Sequence, residues 1–137
     1  MNHSTLKKSL KSHEGIKPLL YLDSEGVPTI GVGHNLQRPI SQAAIEQILT
    51  DDIAECVTEL DRAFPKWRDH DDNRQNVLVE MMFNLGATRL AKFKRFWTAM
   101  DAKDYSTAAV EMQLSAWRKQ VGQRAVTLSN RMRDGIQ

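Results

Sequence analysis

The chain has 137 residues, 41% of them hydrophobic, which is the size and composition of one domain with one core. A single cysteine, Cys56, excludes an internal disulfide framework, and a formal net charge of +2 suits an anionic partner without requiring one. No apolar run reaches the roughly 18 residues of a membrane span, and the basic N-terminus has no apolar segment of signal-peptide length, so synthesis in the cytoplasm without a signal peptide and no stable membrane insertion are expected.

Thr5 to His13 reads as a short helix with Leu6 and Leu10 on one side; Gly15 and Pro18 end it, so Glu14 closes it. Two apolar runs, Leu19 to Leu22 and Val27 to Val32, flank Asp23-Ser24-Glu25-Gly26 and predict a β-hairpin with Gly26 in the turn. Gly31 and Gly33 bracket Val32, where the chain bends again and something can approach the backbone closely. Only Asn35 to Ile40 then separate His34 from Ser41, so the sheet is expected to be little more than the hairpin, with at most a stub of a third strand.

From Ser41 the pattern is helical. Ser41 is read as the cap of a helix reaching about Arg62, with Ala44, Ile45, Ile48, Leu49, Ile53, Cys56, Val57 and Leu60 as its apolar stripe. Asp71 to Gly86 predicts the next helix, with Val77, Leu78, Met81, Met82 and Leu85 inward. Leu90 to Met100, Tyr105 to Trp117 and Gly122 to Arg133 predict three more; Asp104 or Ser106 caps the second of these and Gly135 stops the third. The expected fold class is α+β and mainly helical: an N-terminal helix-and-hairpin lobe over 1–40, a connecting helix over 41–62 and a helical lobe over 63–137, with a cleft between the lobes of one domain.

Two carboxylates, Glu14 and Asp23, and the hydroxyl of Thr29 are candidates for acid/base hydrolysis of a glycosidic bond. At a helix C-terminus Glu14 faces the negative end of the dipole, and burial would act in the same direction, toward the protonated form a general acid needs. Its ordinary role would be a surface glutamate at a poorly capped end. Asp23 opens a turn, where aspartate often binds its own backbone, and Thr29 on a strand is unremarkable alone. Glu25 beside Asp23 is either a substrate contact or a solvated turn acid. The four histidines have no paired metal-ligand spacing, and no phosphate loop or dinucleotide fingerprint occurs, so no metal and no cofactor are expected.

Taken in order, His13-Glu14-Gly15, Tyr21 to Gly26, Thr29 to His34, Val79 to Gly86 and Trp117 to Ala125 closely resemble the phage-type lysozymes, glycoside hydrolase family 24, over nearly the whole chain. The resemblance implies a lysozyme-like fold and cleavage of the β-1,4 link between N-acetylmuramic acid and N-acetylglucosamine in bacterial peptidoglycan. It implies Glu14 as general acid, Asp23 and Thr29 as the groups that position water or stabilise the transition state, and attack with inversion. By the same resemblance Asn84 and Gln123 are candidates to bind N-acetyl groups, with helix capping or a buried amide as the alternative. Arg124 is a candidate partner for Glu14, either structural or tuning. The implied partner is the peptidoglycan glycan strand, met by a monomer that reaches the wall after release through the membrane.

Two rivals stay within wall chemistry. A lytic transglycosylase would rely on one glutamate, which Asp23 and Thr29 argue against. A non-catalytic wall-binding relative would usually lack Glu14 or Asp23, and both are present. A nucleic-acid binder needs clustered cations on one face; the run Lys92 to Arg95 is short and lies among apolar residues, so no nucleic-acid partner is expected.

Overall fold

A computed structural model describes residues 1–137. Two compact units divide the chain, Met1–Gln47 and Ile48–Gln137.

The first unit begins with helix α1 (His3–Glu14). It starts two residues earlier than the apolar spacing suggests because Asn2 caps it: the Asn2 side chain accepts from the Thr5 N–H at 3.0 Å. Gly15, at φ 79°, ends it and returns its own N–H to the Lys11 carbonyl. Strands β1 (Lys17–Leu22), β2 (Pro28–Gly31) and β3 (His34–Asn35) form an antiparallel sheet in that order. Tyr21 stands opposite Thr29, and Thr29 opposite Asn35, so Thr29 is central on the middle strand. The third strand is the expected stub.

Helix α2 (Gln42–Ala63) contains the boundary between the units. Ser41 Oγ accepts from the Ala44 N–H at 3.1 Å, as its capping role requires. The stripe read from α2 divides in two. Leu60 is buried and Cys56 and Val57 pack on the core, but Ile45, Ile48, Leu49 and Ile53 are exposed. Periodicity finds an apolar face; it does not supply the neighbour that covers it.

The second unit holds the core. A 3-10 turn (Pro65–Asp69) leads to α3 (Asp72–Ala91), then α4 (Lys94–Asp101), α5 (Tyr105–Leu114), α6 (Ala116–Val121) and α7 (Gln123–Asp134). Val77, Leu78, Met81, Met82 and Leu85 are buried as read, with Phe96, Met100, Met112, Trp117, Leu128 and Met132. Trp67 is buried too, and Trp97 stacks on Phe64 with ring centroids 4.2 Å apart. The methionine pair is core; its neighbour Phe83 is 46% exposed.

Three helix limits differ from the pattern. Gly86 leaves helical geometry (φ 76°, ψ 165°), but the helix resumes and runs to Ala91. The expected helix from Leu90 is interrupted at Lys92 and Phe93, whose N–H groups turn back to Arg89 and Leu90. The helix after Tyr105 stops at Ser115, which is extended (ψ 155°) and donates its hydroxyl to the Met112 carbonyl at 2.7 Å. That break lets α6 turn and bury Trp117, whose indole N–H donates to Asn84 Oδ1 at 2.7 Å.

Candidate active site

Glu14, Asp23, Thr29 and Glu25 all lie in the first unit. The centre of the arrangement is a residue that the sequence does not single out, Val27. Its N–H donates to Asp23 Oδ1 at 2.9 Å. Its carbonyl accepts from the Asp23 N–H at 3.0 Å and from the Thr29 hydroxyl at 2.8 Å. One peptide segment therefore holds both the carboxylate and the hydroxyl.

The turn explains why Asp23 is suited to this. Asp23 Oδ1 also accepts from the Glu25 N–H at 2.8 Å, and the Asp23 carbonyl accepts from the Gly26 N–H at 3.0 Å. Gly26 takes φ 78°, which a side chain there would disfavour. With Oδ1 engaged twice by the backbone, Oδ2 is the oxygen left for another donor. Thr29 is only 4% exposed, the most buried polar side chain of its unit, and its proton is committed to Val27. Its oxygen can still accept a hydrogen bond.

Glu14 is exposed rather than buried, as a desolvated acid would be. Its position is set by a contact that sequence reading only half anticipates. Gly33, at φ 63°, lies under the Glu14 side chain, and a methyl group at that position would stand 3.0 Å from Glu14 Oε2. The close approach permitted by the Gly31–Gly33 bend is filled by this carboxylate. Glu25 is exposed, and its part in the turn is played by its backbone N–H.

The three remaining candidates belong to the second unit. Asn84 receives the Trp117 indole N–H on its oxygen, which leaves its amide N–H groups to donate elsewhere. Gln123 is the exposed first residue of α7. Arg124 forms its ion pair with Glu80 at 3.8 Å, and Arg131 approaches the same carboxylate at 4.0 Å. The partner of Arg124 is thus a neighbour on α3.

The site thus has a carboxyl group resting on a glycine, and a turn carboxylate fastened with a threonine hydroxyl to one peptide. The sequence profile of the phage lysozyme family matches residues 11–134, which takes in all of them. The chain belongs to the phage lysozyme family. It is 28% identical over 152 residues to a probable T4-type lysozyme 2 of Dictyostelium discoideum, covering 89% of each chain. It is 28% identical over 135 residues to the endolysin of Salmonella phage P22, covering 91% of this chain and 88% of that one. It also matches the pre-baseplate central spike protein Gp5 of Enterobacteria phage T4, 29% identical over 88% of this chain but 26% of the spike protein. As a member of the phage lysozyme family the chain is a glycoside hydrolase, and its substrate class is peptidoglycan.

Proposed function

We propose that the chain cleaves the β-1,4 bond between N-acetylmuramic acid and N-acetylglucosamine, with Glu14 as general acid and with Asp23 and Thr29 holding the attacking water. The observation that carries this reading is the shared anchorage of Asp23 and Thr29 on Val27.

Glu14 gives its proton to the glycosidic oxygen as the bond from the anomeric carbon breaks. A water places one hydrogen on Asp23 Oδ2 and the other on Thr29 Oγ1. Both groups are then acceptors, and the lone pairs of the water oxygen are free to attack the anomeric carbon. Asp23 takes the proton that the water loses, and the configuration inverts. Because the Thr29 proton is already given to Val27, its hydroxyl has one role toward water, and the water has one orientation.

Asn84, Gln123 and Arg124 are proposed to contact the glycan, the two amides through N-acetyl groups. Their replacement is expected to raise KM more than it lowers kcat. The same reading places the protein in host lysis, acting as a monomer on the wall once the membrane has been opened.

Digestion of purified peptidoglycan with product analysis tests the proposal. Hydrolysis with inversion gives reducing muramic acid ends whose first-formed anomer, followed by NMR, is α. Anhydro-sugar ends would identify a lytic transglycosylase instead, and no products at all would identify a binding relative.

A further inference from the structure

At the junction of α3 and α4 positive charge collects in excess. Arg89, Lys92, Lys94 and Arg95 line a cavity of 560 Å³ that contains one carboxylate, Glu111. None of the four takes part in an ion pair, and the Arg89 guanidinium donates to the neutral amide oxygen of Gln120. Six of the seven other arginines of this unit are matched, Arg118 being the exception: Arg62 with Glu59, Arg68 with Asp61, Arg74 with Asp71, Arg124 and Arg131 with Glu80, and Arg133 with Asp134. Four like charges around one opening repel one another, and an anionic partner relieves that repulsion.

The same opening carries exposed apolar side chains. Leu114 lines it and is 71% exposed. Val110, one helical turn earlier on α5 and therefore on the same side, is 54% exposed. Half-buried Phe93 completes the apolar border. A soluble phosphate polymer would engage the cations and leave these apolar groups in water. An anionic bilayer serves both, with headgroup phosphates on the lysines and arginines and the acyl boundary under Leu114 and Val110. No helix is long and apolar enough to cross a membrane, so the contact is one that lies on the surface.

We propose that the face formed by Arg89, Lys92, Lys94, Arg95, Val110 and Leu114 docks the protein peripherally on an anionic lipid surface. The proposal is independent of the catalytic roles given to Glu14, Asp23 and Thr29.

Co-sedimentation of the full chain with phosphatidylglycerol/phosphatidylcholine vesicles tests it. Binding is expected to the mixed vesicles and not to pure phosphatidylcholine, and to weaken with salt. The triple variant Lys92→Gln/Lys94→Gln/Arg95→Gln should lose about fivefold in affinity per cation removed, roughly a hundredfold in all. Its hydrolysis of soluble wall fragments should match the parent, which shows that it is folded. Leu114→Ser should remove the binding that survives at high salt. Equal binding to neutral vesicles, or a triple variant that binds like the parent, overturns the proposal. So does a Leu114→Ser variant that binds lipid normally while soluble polyphosphate displaces all of the protein, because that result describes an anion site alone.

Discussion

The two units are held in different ways. Ile48–Gln137 is organised by a continuous core in which Leu60, Leu78, Met81, Phe96, Met112 and Trp117 are at most 2% exposed. Met1–Gln47 buries one residue, Thr29, and leaves Leu19, Leu20 and Leu22 of β1 exposed. Its shape comes from directional bonds instead: the Asn2 cap, the Asp23 turn, the Val27 anchorage and a three-strand ladder. The candidate chemistry sits in the unit with almost no core. Packing gives stability but is tolerant of small shifts, whereas a proton donor and a positioned water need fixed directions, and hydrogen bonds supply direction.

The sharpest way to break this contrast is Glu14→Gln. It should cost about 10²- to 10⁴-fold in wall lysis while the melting temperature stays near that of the parent, as for loss of a general acid. Full lysis by this variant would remove Glu14 from the chemistry. The mirror-image change is Leu78→Ala in the core. It should cost about 2–5 kcal/mol in chemical denaturation, with activity per folded molecule unchanged at low temperature. A small stability loss there would mean that the core of the second unit is looser than its burial implies.

Asp23→Asn separates turn from chemistry. The asparagine oxygen can still accept from Glu25 and Val27, so the turn and the thermal stability should persist while kcat falls by roughly a hundredfold. If Asp23→Ala loses no more stability than Asp23→Asn, the turn bonds contribute less than argued. Gly33→Ala is milder and tests the seat of Glu14. A side chain at positive φ costs about 1–2 kcal/mol, and the added methyl pushes Glu14 by a few tenths of an ångström, so kcat should fall several-fold. Unaltered kcat would show that the position of Glu14 does not depend on Gly33.

The smallest expected effect belongs to pH and to the second unit. His70 is buried and its Nδ1 lies 2.8 Å from the Tyr105 hydroxyl. Burial, helped by the charge of Lys103, holds its pKa below the ordinary value of 6.5. The unfolded chain then binds the proton more readily, so stability falls as pH drops below about 6.5 and stops falling on this account once pH passes below the folded value. His70→Gln should flatten that limb in denaturation curves taken between pH 5 and 8, and equal slopes in parent and variant would count against it. Asp61 is the opposite kind of contributor: hydrogen bonds from Arg68 and then Trp67 hold it at about 2, so its share is full at neutral pH and is lost progressively as pH falls from 3.8 toward about 2.

Helix starts and stops were legible where the signal is a single local bond. Ser41, Asp71 and Asp104 cap as their positions suggest, and Gly15 and Gly135 stop helices through positive φ. The Asp23-to-Gly26 turn was legible for the same reason. The Asn2 cap escaped because no apolar spacing precedes it. The breaks at Phe93 and Ser115 escaped because nothing in their neighbours forbids helix; burial of Phe96 and Trp117 decides them. The uncovered half of α2 escaped because a stripe specifies a face and not its cover.

The linear order of residues determined by itself the inventory: one turn built for Asp23, one helix ending at Glu14, a strand threonine, and the inward face of α3. Those are interactions within a few positions, and a short window contains both partners. Tertiary structure decided that Gly33 carries Glu14, that Arg124 answers Glu80, and that four cations share an opening with Leu114. Each of these depends on where the backbone places a second group, a distance that spacing along the chain does not encode.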